Sequence, residues 1–229
     1  MDDDPLEFNM WPAFADLMLG LVLTLILVVF LVYSYLLSTI DFERALDNQM
    51  RVIQSIGDRF GGRIESTGEH GYAVSVGSGG DQDIVIANEA NVQHISFSSQ
   101  LLFPPDVALM SPGGRWAMKQ VGQIIANNIE AIREVQVQGH ADTDKSSRFR
   151  SNLELAGARS IEVFHFLQDS LGIDPARHLM SATSFGEYRP IQRVDGSVPY
   201  DPAALAAHNR SEVLKKRNRR VELVLYYDF

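Results

Sequence analysis

Between Leu17 and Leu37 the chain carries no Asp, Glu, Lys or Arg, only a run dominated by Leu, Val, Ile and Phe. A helix rises 1.5 Å per residue, so about 20 such residues cross the roughly 30 Å hydrocarbon core of a bilayer. The sequence therefore predicts a single transmembrane helix at 11–40, behind a short tip at 1–10. A cleavable signal peptide would need a basic start, a shorter apolar stretch and a small-residue cleavage site. "MDDDPLEF" is acidic, and "YSYLLSTIDF" offers no such site. Trp11 on one side, with Tyr33 and Tyr35 on the other, supplies aromatic belts for the two interfaces.

Asp16 stands at the front of this apolar run. A charged side chain at the centre of a membrane helix costs about 2.5–3.5 kcal/mol on insertion scales. Residues four apart share a helix face, so Asp16, Gly20 and Thr24 form a narrow stripe of carboxyl, hydrogen and hydroxyl. Small and polar residues in one line suit close packing against another helix. Two readings of Asp16 follow. It caps the helix near its N-terminus, where its charge is cheap, or it is a protonatable carboxylate facing a partner helix or a water path.

Beyond residue 40 charged and apolar residues mix as in a soluble domain, so the 229-residue chain reads as a tethered domain. Its net charge of −9 argues against binding nucleic-acid backbones. The basic run Lys215, Lys216, Arg217, Arg219 and Arg220 is a local exception, read as a solvated charge run entering a strand. With no cysteine, disulfides, thiol catalysis and Cys-based zinc sites are excluded. In 41–62 the residues Phe42, Leu46, Ile53, Ile56 and Phe60 recur at spacings of three, four or seven, an amphipathic helix ending at Gly61 and Gly62. Residues 63–100 hold "YAVSVG" and "DIVIA", two short strands around the Gly-rich "SGGDQ", and read as a β-rich connecting segment.

From 101 to 229 strands and helices alternate. Ser111 and Pro112 start a helix with Val121, Ile124, Ile125 and Ile132 on one face. "EVQVQGH" alternates as a half-buried strand. "NLELAGARSIEVFHFLQDSLG" sets Leu153, Ala156, Val163, Phe164, Leu167 and Leu171 on one face, with Gly172 and Pro175 as the stop. "RRVELVLYY" closes as a strand. The fold class is α+β: one N-terminal transmembrane helix, then a βαβαβ domain with helices on one side of a mixed sheet.

Two resemblances attach to these residues. "FADLMLGLVLTLILVVFLV" resembles the membrane helix of MotB-type stator subunits, whose aromatic-Ala-Asp-[Leu/Phe]-Met start carries an ion-binding aspartate. Pro12 is similar to the related TolR and ExbD helices. In the C-terminal region "LLFPPDVALMSPGG", "GHADTD", "NLELAGAR", "FGEYRP" and "NRRVEL" resemble, in order, the motifs of the OmpA-like peptidoglycan-binding domain, the first as its opening strand and turn. Ala141 stands where that family usually has Thr, and Ala156 where it has Ser.

The resemblance implies an ion-conducting stator subunit. Asp16 and Thr24 would bind the ion, and Asp142, Asn152, Arg159 and Arg220 the peptidoglycan. A wall peptide that presents an ammonium and a carboxylate needs an acceptor-only group beside a bidentate cationic fork. Asp142, in a loop after a strand, and Arg159, on a helix, have those chemistries. Asn152 lies two turns before Arg159, so the two share a face, read as opposite the apolar one. Taken alone, Asp142 reads as a turn residue and Arg159 as a solvated helix residue. Arg219 and Arg220 read as a pocket wall or as fold-stabilising pairs. His140 and Asp142 have His-x-Asp spacing, but two ligands without a third do not make a metal site, and a structural His is the reading. No nucleophile motif, phosphate loop or paired carboxylates suggest catalysis, and no cofactor is implied.

The partners implied are peptidoglycan, a second copy of the chain, and a multi-span MotA-, TolQ- or ExbB-like subunit forming a pentamer around that dimer. The implied location is the bacterial inner membrane, tip cytoplasmic and domain periplasmic. The charge rule opposes this, since Arg44 and Arg51 lie on the domain side. The family's tasks are flagellar rotation, envelope energisation and the motor of the Zorya anti-phage system. In stator subunits the segment at 41–60 is a plug; read without the family it is a stalk. A passive membrane-tethered wall anchor, and a cytoplasmic domain with another ligand, are the rival functions.

Overall fold

The computed structural model describes residues 10–61, 64–68, 71–76, 83–193 and 201–227. Residues 1–9 of the tip, the "SGGDQ" turn and "VDGSVPY" lie outside them, as do the side chains of Phe42 and its neighbours Ser38, Ile40 and Asp41. The chain forms two compact units, 1–43 and 44–229.

The helix α1 (Trp11–Arg59) starts in the first unit and ends in the second; at its start the Phe14 N–H bonds the Met10 carbonyl at 3.0 Å. Trp11–Leu37 is long and apolar enough to cross a membrane, and its side chains are exposed rather than packed against protein. That is the pattern of a helix whose partner is lipid or another chain.

In the second unit a seven-stranded sheet, counted among the described residues, has the order β1-β2-β3-β4-β7-β5-β6. The strands are β1 (Ile64–Ser66), β2 (Gly71–Val74), β3 (Ile84–Glu89), β4 (Val92–Ser98), β5 (Ile132–His140), β6 (Leu179–Gly186) and β7 (Arg220–Tyr227). All neighbours are antiparallel except β5 and β6, which the crossover helix α4 (Asn152–Leu171) joins in parallel. The short α2 (Ser99–Leu102) and the longer α3 (Pro112–Asn127) link β4 to β5, and α5 (Pro202–Ala207) and α6 (Glu212–Asn218) precede β7.

One core joins the sheet to the helices: Ile95 and Phe97 of β4, Val135 and Val137 of β5, and Leu223 of β7 face Val121 and Ile125 of α3 and Val163 and Leu167 of α4. The tail of α1 belongs to the same core, with Ala45, Val52, Ile53 and Ile56 buried at helical spacing. Residues 64–98 do more than connect: they form four strands of the sheet, and β4 pairs along its whole length with the last strand, β7. "LLFPPD" itself is not a strand: β4 ends just upstream at Ser98, and the first residues of that stretch complete α2.

The helix ends follow local chemistry. The Ser111 hydroxyl accepts the Gly114 N–H at 2.9 Å behind Pro112, and Ser151 accepts the Glu154 N–H at 3.2 Å. Gly172 closes α4 in the left-handed region at φ 71°. Two face assignments differ from the sequence pattern. Ile132 opens β5 rather than ending α3, which stops where the Asn128 side chain bonds the Ile124 carbonyl. Leu153 is exposed while Leu155 and Phe166 are buried, because α4 turns Ala156 onto β5. At that crossing a Cβ on Gly139 would stand 2.0 Å from the Ala156 carbonyl oxygen, so the close approach of α4 requires glycine.

Candidate functional site

A cleft of about 610 Å³ opens at the end of the sheet where β5 gives way to α4. Its walls are the loop 103–111, the loop 141–151, one side of α4, and Arg219 just ahead of β7. Asp142 enters it two residues after His140, the last residue of β5, and is buried. One carboxylate oxygen accepts the Asp144 N–H at 3.0 Å, turning the loop, and the other accepts the Arg219 guanidinium.

Arg159 is buried, not solvated. Its Nε donates to the Val107 carbonyl at 2.9 Å, Nη1 to the Ser99 hydroxyl at 2.8 Å, and Nη2 to the Pro104 carbonyl at 3.4 Å. The guanidinium lies over the Phe103 ring, 5.0 Å from its centroid. Burial lowers its pKa to about 10, with Asp106 and Asp142 opposing the fall, so it stays charged at neutral pH. A guanidinium has five N–H donors, and these bonds engage three. A ligand carboxylate would meet the remainder of a fork already fixed in place.

Asn152 does not line the cleft. Its Nδ2 donates to the Asp142 carbonyl at 3.0 Å and its Oδ1 accepts the Ser146 N–H at 3.2 Å, so it ties the loop to the start of α4. Asn152 and Arg159 share a face, as their spacing requires, but both are buried rather than turned to solvent.

Arg220 also lies away from the cleft. It is buried, its Nε donates to Glu222, and Nη1 and Nη2 reach the Asn218 and Arg189 carbonyls, each at 3.4 Å. Arg219 is the residue that faces the site. Strand alternation carries this signal: residue 219 has the parity of the inward Val221 and Leu223, whereas 220 has that of Glu222.

His140 sits beside Arg220 in the ladder, stacked on Phe185 with ring centroids 5.2 Å apart, and neither ring nitrogen has a hydrogen-bond partner. Burial first, and the Arg220 charge second, push its pKa down to about 3. The residue is a neutral packing group. Among the described residues no three His, Asp or Glu side chains are placed to hold a metal ion.

In the first unit Asp16 lies five positions inside α1, past the cap and past the first turn, which holds no acidic residue. The Thr24 hydroxyl donates to the Gly20 carbonyl at 2.8 Å. The structure thus joins Asp142 and Arg159 in one cleft, has Asn152 tie the loop that forms one of its walls, and places Arg219 in the cleft and Arg220 outside it.

Residues 102–197 match the OmpA family. The domain is OmpA-like, a mixed sheet with its helices on one side. Its likeness in solved structures is to MotB-like proteins. A putative MotB-like protein from Desulfovibrio vulgaris superposes with a TM-score of 0.61 at 21% identity, over 84% of this chain and 97% of that one. The periplasmic domain of Helicobacter pylori MotB gives 0.54 at 21% identity, over 70% and 90%. No curated protein matches the chain.

Proposed function

We propose that this chain is the ion-carrying, wall-anchored subunit of an inner-membrane motor, with a role similar to that of MotB. The observation that carries the reading is Asp16, a carboxylate inside a helix of membrane-crossing length and beyond the reach of a cap. An ionisable group there needs a partner or a water path, and taking up and releasing a proton or sodium ion is the chemistry it can perform. One charge crossing 100 mV is worth about 2.3 kcal/mol, which repeated passage turns into motion.

The cleft supplies the anchor. Asp142 presents an acceptor for an ammonium and Arg159 a fork for a carboxylate, the two groups of a peptidoglycan stem. A wall ligand places the domain in the periplasm and the tip in the cytoplasm. A single helix makes no channel alone, so two copies act within a pentamer of a MotA-, TolQ- or ExbB-like multi-span protein.

The test is ion flux in cells expressing the chain with its multi-span neighbour, comparing native Asp16 with Asp16→Asn at matched expression. Flux lost with Asn supports the reading; equal flux sinks it. A passive wall anchor is the second reading, favoured by Thr24, whose hydroxyl is turned onto its own helix rather than toward an ion.

A further inference from the structure

Asp106 lines the cleft, yet most of its carboxylate is already engaged. Its Oδ1 accepts the Ser146 hydroxyl, and its Oδ2 accepts the Ser147 N–H at 2.9 Å and the Ser147 hydroxyl at 2.7 Å. A carboxylate has about four acceptor positions, so three of them go to one loop 40 residues away in sequence. The backbone at Asp106 has φ 56°, a left-handed conformation uncommon outside glycine that persists where the surroundings hold it. Pro104 and Pro105, with φ fixed by their rings, lead into it.

The same short segment holds the other half of the site, because the Pro104 and Val107 carbonyls accept the Arg159 guanidinium. From Ser146 the connection continues through its N–H to Asn152, and from Asn152 to the Asp142 carbonyl. Asp106 therefore stands where the arm that carries Arg159's acceptors meets the arm that carries Asp142.

We propose that Asp106 is a positioning residue, a clasp that holds the loop 141–151 against the loop 103–111 and so sets the distance between Asp142 and Arg159. It acts on the loop and leaves the ligand ammonium to Asp142. The bonds from Ser146 and Ser147 lower its pKa from 3.8 to about 2, so the clasp is charged at neutral pH. The proposal rests on the ligand reading of this cleft, but its first readout needs no ligand.

Lys145, Arg148 and Arg150 are exposed within the clasped loop, so trypsin reports its opening. In the full chain in detergent micelles, Asp106→Ala should speed cleavage at these three sites about tenfold or more, the loss of at least one hydrogen bond of ordinary net worth. Cleavage after the exposed Arg177, in the turn before β6, should be unchanged. The double variant Ser146→Ala with Ser147→Ala should open the same sites with Asp106 intact. Both variants should also bind purified peptidoglycan sacculi more weakly than the native chain.

Unchanged loop cleavage in the Asp106 variant, whatever happens to sacculus binding, would make Asp106 a ligand contact or a bystander and overturn the clasp. So would faster cleavage confined to Asp106→Ala and absent from the serine pair. If Asp106→Ala unfolds, the serine pair alone decides. Failure of the native chain to bind sacculi would refute the ligand reading, and the cleavage result would still decide the clasp.

Discussion

The stability of the domain should fall with acid through one residue, His140. Its ring is 1% exposed, and neither nitrogen is hydrogen-bonded. Burial, with Arg220 and Arg189 adding positive charge, outweighs Glu222 at 3.9 Å and lowers its pKa from 6.5 to about 3. For a group held neutral in the fold, the unfolded chain binds the proton first. The contribution is therefore fully present above about pH 6.5 and is lost as pH falls toward 3. The slope in that window is about 1.4 kcal/mol per pH unit, or roughly 2.5 kcal/mol between pH 7.5 and 4.5. Glu222 acts lower. Burial raises its pKa, but Arg220 and the His94 hydrogen bond prevail and hold it well below 4.5, so its own share is lost below that value. Urea unfolding of the full Trp11→Phe chain in detergent, followed by Trp116 fluorescence across pH 4.5–7.5, measures the slope. His140→Phe keeps the ring on Phe185 and removes the titration, so its stability should be nearly flat in this window. An equal slope in both proteins would refute the reasoning.

Gly139→Ala should destabilise the domain by about 2 kcal/mol or more, since the new methyl meets backbone rather than a movable side chain, and should lower Tm. Arg220→Ala, which strands the buried Glu222, should cost about 3–5 kcal/mol in urea unfolding. Arg219→Ala, which leaves the buried Asp142 carboxylate with only the Asp144 N–H of these two donors, should cost about 1–3 kcal/mol in urea unfolding and should also change sacculus binding. Arg159→Lys should weaken sacculus co-sedimentation at least about tenfold, since an ammonium keeps the charge but cannot reproduce the fork over Phe103.

Much of the fold was legible because its signals are local. Ser111 with Pro112, Ser151 and Gly172 mark the helix ends, and the alternation in "EVQVQGH" marks β5. The role of 63–100 was not, because a strand's partner is a long-range fact: β4 is paired by residues more than a hundred positions downstream. In the site, residue types named Asp142 and Arg159, and motif order placed them. Burial was missed, since an Arg on a helix reads as solvated until the carbonyls of Pro104 and Val107 that desolvate it are known. Residue type could not separate Arg219 from Arg220, which are adjacent; the structure puts the first in the cleft and buries the second against Glu222.

The tail of α1 is joined to the sheet by more than oil. Gln49 donates to the Ala90 carbonyl at 2.9 Å, while Gln93 bonds the Gln49 carbonyl at 3.1 Å and Asn88 at 2.9 Å and accepts the Tyr227 hydroxyl at 2.9 Å. An apolar seam alone tolerates sliding, because a side chain that leaves one apolar neighbour meets another just as good. Directional bonds in a dry interface are not replaced in this way, so this seam resists small displacement and then yields all at once. A pull on residues 44–59 would load these bonds at Gln49 directly, as it would a shear pin, before the apolar contacts beside them could slide.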